Sequence, residues 1–123
     1  MDTGSVGKAE IKQATAFVIA TDRLGSGNDD LGALLMKSFL YSLARDGAPP
    51  RAVVFMNHGV RLACRGSDSL DDLKLLAEAG VEVKACGTCL DFLGLKEELA
   101  VGAVGAMPDT TAMLTAGDAV VIG

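Results

Sequence analysis

A three-layer α/β/α domain built on a five-stranded parallel sheet is the fold class this sequence predicts. Three observations carry it. Short apolar runs recur at residues 16–21, 52–56, 81–85, 101–107 and 118–122. The runs are continuous rather than alternating, the pattern of strands covered on both faces. Each is separated from the next by a segment long enough for a helix, and regular β-α alternation specifies parallel strands with helices on both faces, joined by right-handed crossovers.

The elements follow in order. Residues 1–15 hold two glycines and scattered charges without a period, and read as a flexible lead-in to a single domain over 16–123. After the first strand, Asp22 to Asn28 is a Gly/Ser loop. Asn28 caps a helix over 29–44, with Asp29 and Asp30 in the first turn where the dipole favours them. Leu31, Leu34, Leu35, Phe39 and Leu43 form its core-facing stripe. Gly47-Ala48-Pro49-Pro50 stops that helix, and Asn57-His58-Gly59 closes the second strand. A short segment over 60–65 precedes a helix capped by Ser67 or Ser69 and stopped by Gly80. The third strand runs into Cys86-Gly87-Thr88-Cys89 and a short helix, with 95–99 continuing in helical style. Pro108 opens the helix over 109–116, and 118–122 is the fifth strand.

Composition narrows the function. At 123 residues the chain suits one core. No stretch approaches the about 20 continuous apolar residues needed to span a bilayer. The start carries no apolar signal region, so a cytoplasmic location is expected. A formal charge of −5 and only five Phe and Tyr residues argue against nucleic acid, which demands clustered cations and stacking platforms. Three cysteines, two of them in a CxxC, point to catalytic, redox or metal chemistry rather than a disulfide scaffold.

Cys86 and Cys89 sit where the next helix aims its free N–H groups and positive dipole end, an environment that stabilises a thiolate. Two packed structural thiols are the plain alternative. A zinc site needs four ligands, and Cys64 and the sole histidine, His58, are not spaced as a second ligand pair. The loop with Arg23, Gly25 and Gly27 lacks the Lys-Ser/Thr ending of a phosphate loop, and Asp29 and Asp30 would repel a phosphate. It reads instead as a mobile roof over the strand ends. Ligands bind outside the carboxyl ends of such strands, so Asn57 and His58 are expected to wall a pocket with the thiols. His58 is either a base near the thiols or a loop residue bonded to backbone. Arg23 or Lys84 supplies positive field. Cys64 is a packing residue or a resolving thiol.

In these segments the chain resembles the DsrE/DsrF-like family of sulfur-relay proteins, and within it the C-terminal domain of YedF-type proteins of selenium metabolism. The likeness rests on Leu24 to Gly32, Leu35-Met36-Lys37, Phe39 to Leu43, Val54 to Asn57 with Gly59-Val60, and Gly66 to Leu73. Above all it rests on Cys86-Gly87-Thr88-Cys89-Leu90-Asp91 with Gly94-Leu95. It implies a DsrE-like, Rossmann-like fold, homo-oligomers of trimer or hexamer type, and a persulfide carried on the cysteine after the third strand. Counted back from Gly94, that cysteine is Cys86. Cys89 then stabilises or resolves the persulfide, Gly87 admits the incoming sulfur, and Thr88 bonds free N–H groups. The partners are sulfur donor and acceptor proteins, and no metal or organic cofactor is needed. The alternatives are a non-catalytic oligomeric module that binds a ligand or partner, and a dithiol redox protein.

Overall fold

The computed structural model describes residues 15–123, so the expected lead-in lies outside the described residues except for Thr15. The chain runs β1 (Ala16–Ile19), α1 (Asp29–Ala44), β2 (Ala52–Phe55), a 3-10 segment (Asn57–Ala63), α2 (Leu70–Glu78), β3 (Glu82–Cys86), α3 (Gly87–Phe92), β4 (Ala103–Gly105), α4 (Met107–Ala116) and β5 (Ala119–Ile122). All five strands are parallel, in the order β4-β3-β2-β1-β5. The first three crossovers step the same way along the sheet and the fourth steps back past β1. Right-handed crossovers therefore put α1, α2 and α3 on one face and α4 on the other.

The two faces are unequally filled. Met36 and Leu40 of α1, Leu73 and Leu76 of α2 and Leu90 of α3 pack with Val53, Phe55, Val83 and Ala85 in one continuous core. No described residue of α4 joins it, and Thr110 is the one buried residue of that helix. No helix among the described residues is long and apolar enough to cross a membrane.

Helix α1 starts as its sequence dictates, the Asn28 side chain accepting the Leu31 N–H at 2.9 Å. Its core face is different from the expected stripe. Gly32, Met36 and Leu40, at i, i+4, i+8, are the buried residues, and Phe39 and Leu43 pack at their edge. Leu31, Leu34 and Leu35 are 51%, 62% and 42% exposed. Glycine lets the helix lie close to its own preceding loop, because a Cβ on Gly32 would come within 2.9 Å of the Arg23 Cβ. An apolar-residue count does not register a glycine as a core position, and so it includes Leu31, Leu34 and Leu35, which face solvent, beside Phe39 and Leu43, which do pack on the core.

A second correction concerns residues 95–99, which form turns rather than helix. Gly94 takes φ +71°, and the Leu95 N–H returns to the Leu90 carbonyl at 2.8 Å, the kind of bond that closes a helix at a left-handed residue. Leu99 then forms an antiparallel bridge with Cys64. The β3–β4 connection is thereby tied to the segment after β2.

Candidate thiol site

Strand becomes helix here without a loop. Cys86 ends β3 in extended geometry, φ −59° and ψ 121°, and Gly87 is already the first residue of α3. Cys89 follows one turn later. Cys86 lies close enough to bear on the protonation of the Cys89 thiol, but the two differ in access. Cys86 is 7% exposed and belongs to the core, whereas Cys89 is half-buried and lines a cavity of about 330 Å³ with Asn57, His58, Thr88, Phe92 and Leu93.

The opposite wall is set by backbone geometry. Asn57 is the one described non-glycine residue with positive φ, at 49°, a conformation asparagine tolerates better than most residues. Held so, its N–H donates to the Cys89 Sγ at 3.2 Å, and its Oδ1 accepts the His58 N–H at 2.9 Å. The 3-10 segment is pressed against the end of β1. Met56 N–H donates to the Ile19 carbonyl at 3.0 Å, and a Cβ on Gly59 would stand 2.2 Å from that same oxygen. Only glycine fits there, and that fit fixes Asn57 beside the thiol.

Burial pushes the Cys89 thiol above its ordinary pKa, and the neighbouring Cys86 adds to the effect. The Asn57 N–H works in the opposite sense without reversing it. Cys89 is therefore a protonated thiol at neutral pH, with a thiolate of high intrinsic nucleophilicity once formed, since nucleophilicity rises with thiol pKa.

The structure brings Asn57, His58, Thr88 and Cys89 to one cavity and sets Cys86 behind it. The remaining expected site residues lie elsewhere. Gly87 does not open toward the cavity: a Cβ there would meet Val104 Cγ1 of β4 at 2.9 Å, so the glycine serves edge-strand packing. The Thr88 hydroxyl makes no hydrogen bond among the described residues, leaving the first N–H groups of α3 uncapped by a side chain. Arg23, Gly25 and Gly27 are not among the cavity's lining residues. Their loop folds over the start of α1, fastened by the Leu24 N–H to the Gly32 carbonyl at 2.9 Å, and Arg23 faces Asp22 at 3.8 Å. Lys84 lies beside Glu82, 3.9 Å away, in a cleft shared with Asp109 and Met113 of α4. Neither cation reaches the thiols' cavity wall. Cys64 is buried, its Sγ donating to the Val60 carbonyl at 3.2 Å. Burial and the charge of Glu98 raise its pKa.

Sequence reasoning missed Phe92 and Leu93. Phe92 is 88% exposed at the cavity. Its signal was present: it stands three residues after Cys89, on the same helix face.

A thiol pair at the carboxyl edge of a parallel sheet, one member packed and one open, defines a small α/β thiol-bearing domain. The sequence profile of the DsrE/DsrF-like family matches residues 13–122, and the chain belongs to that family. Among solved structures it is similar to the YchN protein from E. coli, with TM-score 0.65, 17% identity, and coverage of 87% of this chain and 97% of that one. It is also similar to MTH1491, a protein of unknown function from Methanobacterium thermoautotrophicum, with TM-score 0.62, 24% identity, and coverage of 87% and 96%. At these identities the likeness shows the fold. No curated protein matches the chain.

Proposed function

We propose that this domain relays sulfane sulfur, with the Cys86–Cys89 pair as carrier. The observation that carries the reading is a half-buried Cys89 that opens to a cavity and accepts the Asn57 N–H, with the packed Cys86 one turn before it. Sequence position favours Cys86 as first acceptor; accessibility supports Cys89. The Cys89 thiolate attacks the outer sulfur of a donor persulfide, R–S–SH. A Cys89–S–SH bond forms, the donor S–S bond breaks, and R–S⁻ leaves and takes up the proton lost from Cys89. An acceptor thiolate docked at the cavity takes the outer sulfur, with Cys89 leaving as thiolate, or Cys86 resolves the persulfide. Attack on the inner sulfur of Cys89 gives the Cys86–Cys89 disulfide and releases hydrosulfide. Selenium in place of sulfur follows the same steps, in keeping with the resemblance to YedF-type proteins. His58 and Thr88 line the route of entry, and donor and acceptor proteins dock over the exposed Phe92.

The closeness of the two thiols, one turn apart at the start of α3, also favours a second reading, a dithiol redox protein. Intact-mass spectrometry after incubation with a sulfane-sulfur donor separates the two. Relay gives a species about 32 Da heavier, one added sulfur, which is lost in Cys89→Ser and retained in Cys86→Ser. A species about 2 Da lighter that requires both cysteines, with no heavier species even in Cys86→Ser, supports the redox reading. No change in either direction sinks both and leaves a binding module.

We further infer homo-oligomers of the kind the family resemblance implies, a trimer or hexamer, formed through the leucines that α1 leaves in solvent.

A further inference from the structure

One backbone N–H at the thiols' cavity is arranged for a single acceptor. Asn57 opens the 3-10 segment, and the first N–H of a helical segment has no partner within it. Its acceptor among the described residues is the Cys89 Sγ, 3.2 Å away. The geometry is held from both sides. Met56 before it is extended, φ −135° and ψ 162°, and its N–H is fixed on the Ile19 carbonyl at 3.0 Å. Gly59 after it donates to the Met56 carbonyl at 2.8 Å and leaves no room for a Cβ against Ile19. Asn57 itself stays at φ 49°. A left-handed non-glycine residue is uncommon, persists where its surroundings over-determine it, and gathers at functional sites.

We propose, resting on the relay reading, that the Asn57 backbone N–H is a catalytic donor to the reacting sulfur, stabilising negative charge on the Cys89 Sγ both when it attacks and when it leaves. On delivery, an acceptor thiolate R′–S⁻ attacks the outer sulfur of Cys89–S–SH. The R′–S–SH bond forms and the Cys89 S–S bond breaks. The Sγ takes the electron pair beside the N–H, then gains the proton that the acceptor thiol lost. A leaving thiol departs faster the better its anion is stabilised, and a preorganised N–H aimed where charge develops supplies that stabilisation. On loading, the same bond enlarges the thiolate fraction more than it blunts the anion, because nucleophilicity follows thiol pKa with a slope of only about 0.4–0.5. One donor thus assists both directions of transfer.

Two variants separate the N–H from the side chain. Asn57→Pro deletes the N–H: the extended Met56 suits a residue before proline, and the first helical position tolerates proline. Asn57→Gly keeps the N–H and enters the left-handed region freely. Both are made in a Cys86→Ser parent, which removes the thiol of β3 and leaves His58 as the other titratable side chain lining the cavity. Exchange of Cys89 with bis(hydroxyethyl) disulfide is followed by peptide mass spectrometry from about pH 7 to 10.5. It involves no sulfane sulfur, so its failure is distinct from failure of the relay, which the mass gain reads. At neutral pH Asn57→Pro reacts about threefold slower than the parent, roughly a tenfold loss of thiolate offset by an anion about threefold more reactive. The ratio of variant to parent rates then climbs with pH, since only the gain in reactivity remains once both thiols ionise. A merely misshapen pocket gives a ratio flat in pH. Asn57→Gly stays within about twofold of the parent. Should the proline chain fail to fold, Asn57→Val replaces it, a β-branched residue that shuns the left-handed region. An unchanged rate, a flat ratio, or an Asn57→Gly chain as slow as Asn57→Pro overturns the role of the N–H.

Discussion

At the scale of single residues, the chemistry turns on how differently two cysteines in one motif are housed. The CxxC was legible because thiols three apart at a strand-to-helix junction are an uncommon conjunction. Which thiol faces solvent was not, since that depends on how tightly β3 packs into the core at Cys86. The Asn57 contact was legible only as a place: a loop at the same sheet edge. Its content is a backbone N–H aimed by a left-handed φ, and a side-chain pattern carries no record of that. The raised pKa of Cys89 gives a pH prediction. The thiolate fraction grows about tenfold per pH unit below the pKa. Alkylation of Cys89 by iodoacetamide therefore keeps accelerating past pH 9.0, the ordinary cysteine value, and at neutral pH runs slower than for an unperturbed thiol. Mass-resolved peptide kinetics from about pH 7 to 10.5 measure this. A rate that levels off below the ordinary value contradicts the burial argument.

At the scale of elements, α1 and α2 are joined by charge as well as by leucines. Asp72 reads in sequence as a first-turn acid that favours the helix dipole. In the fold it is buried between the helices and receives Lys37 Nζ at 2.6 Å and Arg45 Nη1 at 2.8 Å. Arg45 also lies over the Tyr41 ring, 3.6 Å from its centroid. Burial alone raises the Asp72 carboxyl, but the hydrogen bonds and charges of Lys37 and Arg45 outweigh it and hold the pKa below the ordinary 3.8. A depressed carboxylate stabilises the fold fully above its unfolded pKa, and the effect is lost as pH falls through the folded value. Asp72→Asn keeps the shape and removes the charge. Its cost is about 2–3 kcal/mol at neutral pH, less than for a sealed pair because Lys37 and Arg45 remain hydrated. Urea unfolding at neutral pH and near pH 3 is the measurement, and the gap between wild type and variant should shrink in acid. An equal gap at both pH values removes the ion network as its cause. The same helix pair shows why the fold was readable and its faces were not. Strand runs and stops at glycine or proline are local signals, so all five strands and the helices of 29–44 and 109–116 were legible. The face that α1 buries depends on close approach at Gly32, which is a tertiary fact.

At the scale of the whole molecule, the strand order explains an imbalance of covering. Three crossovers on one face build a full layer, and one helix is left for the other, with Val121 of the edge strand β5 exposed. The α1 layer in turn exposes Leu31, Leu34 and Leu35 along a helix whose opposite side is already satisfied. Burying an exposed leucine fully is worth about 1.5–3 kcal/mol, so a symmetric contact that covers these three on each protomer favours self-association. Net charge of −5 per chain works against it, and Asp29 and Asp30 stand at the near end of the same helix. Salt screens such repulsion while leaving apolar burial intact. Light scattering coupled to size exclusion should therefore give a multiple of 12.6 kDa at micromolar concentration, with the assembly strengthened by added sodium chloride. The double variant Leu34→Glu with Leu35→Glu should elute as a monomer with an unchanged circular dichroism spectrum, because neither side chain belongs to the core. A wild-type chain that is monomeric at this concentration, or one that salt dissociates, would sink the α1 interface.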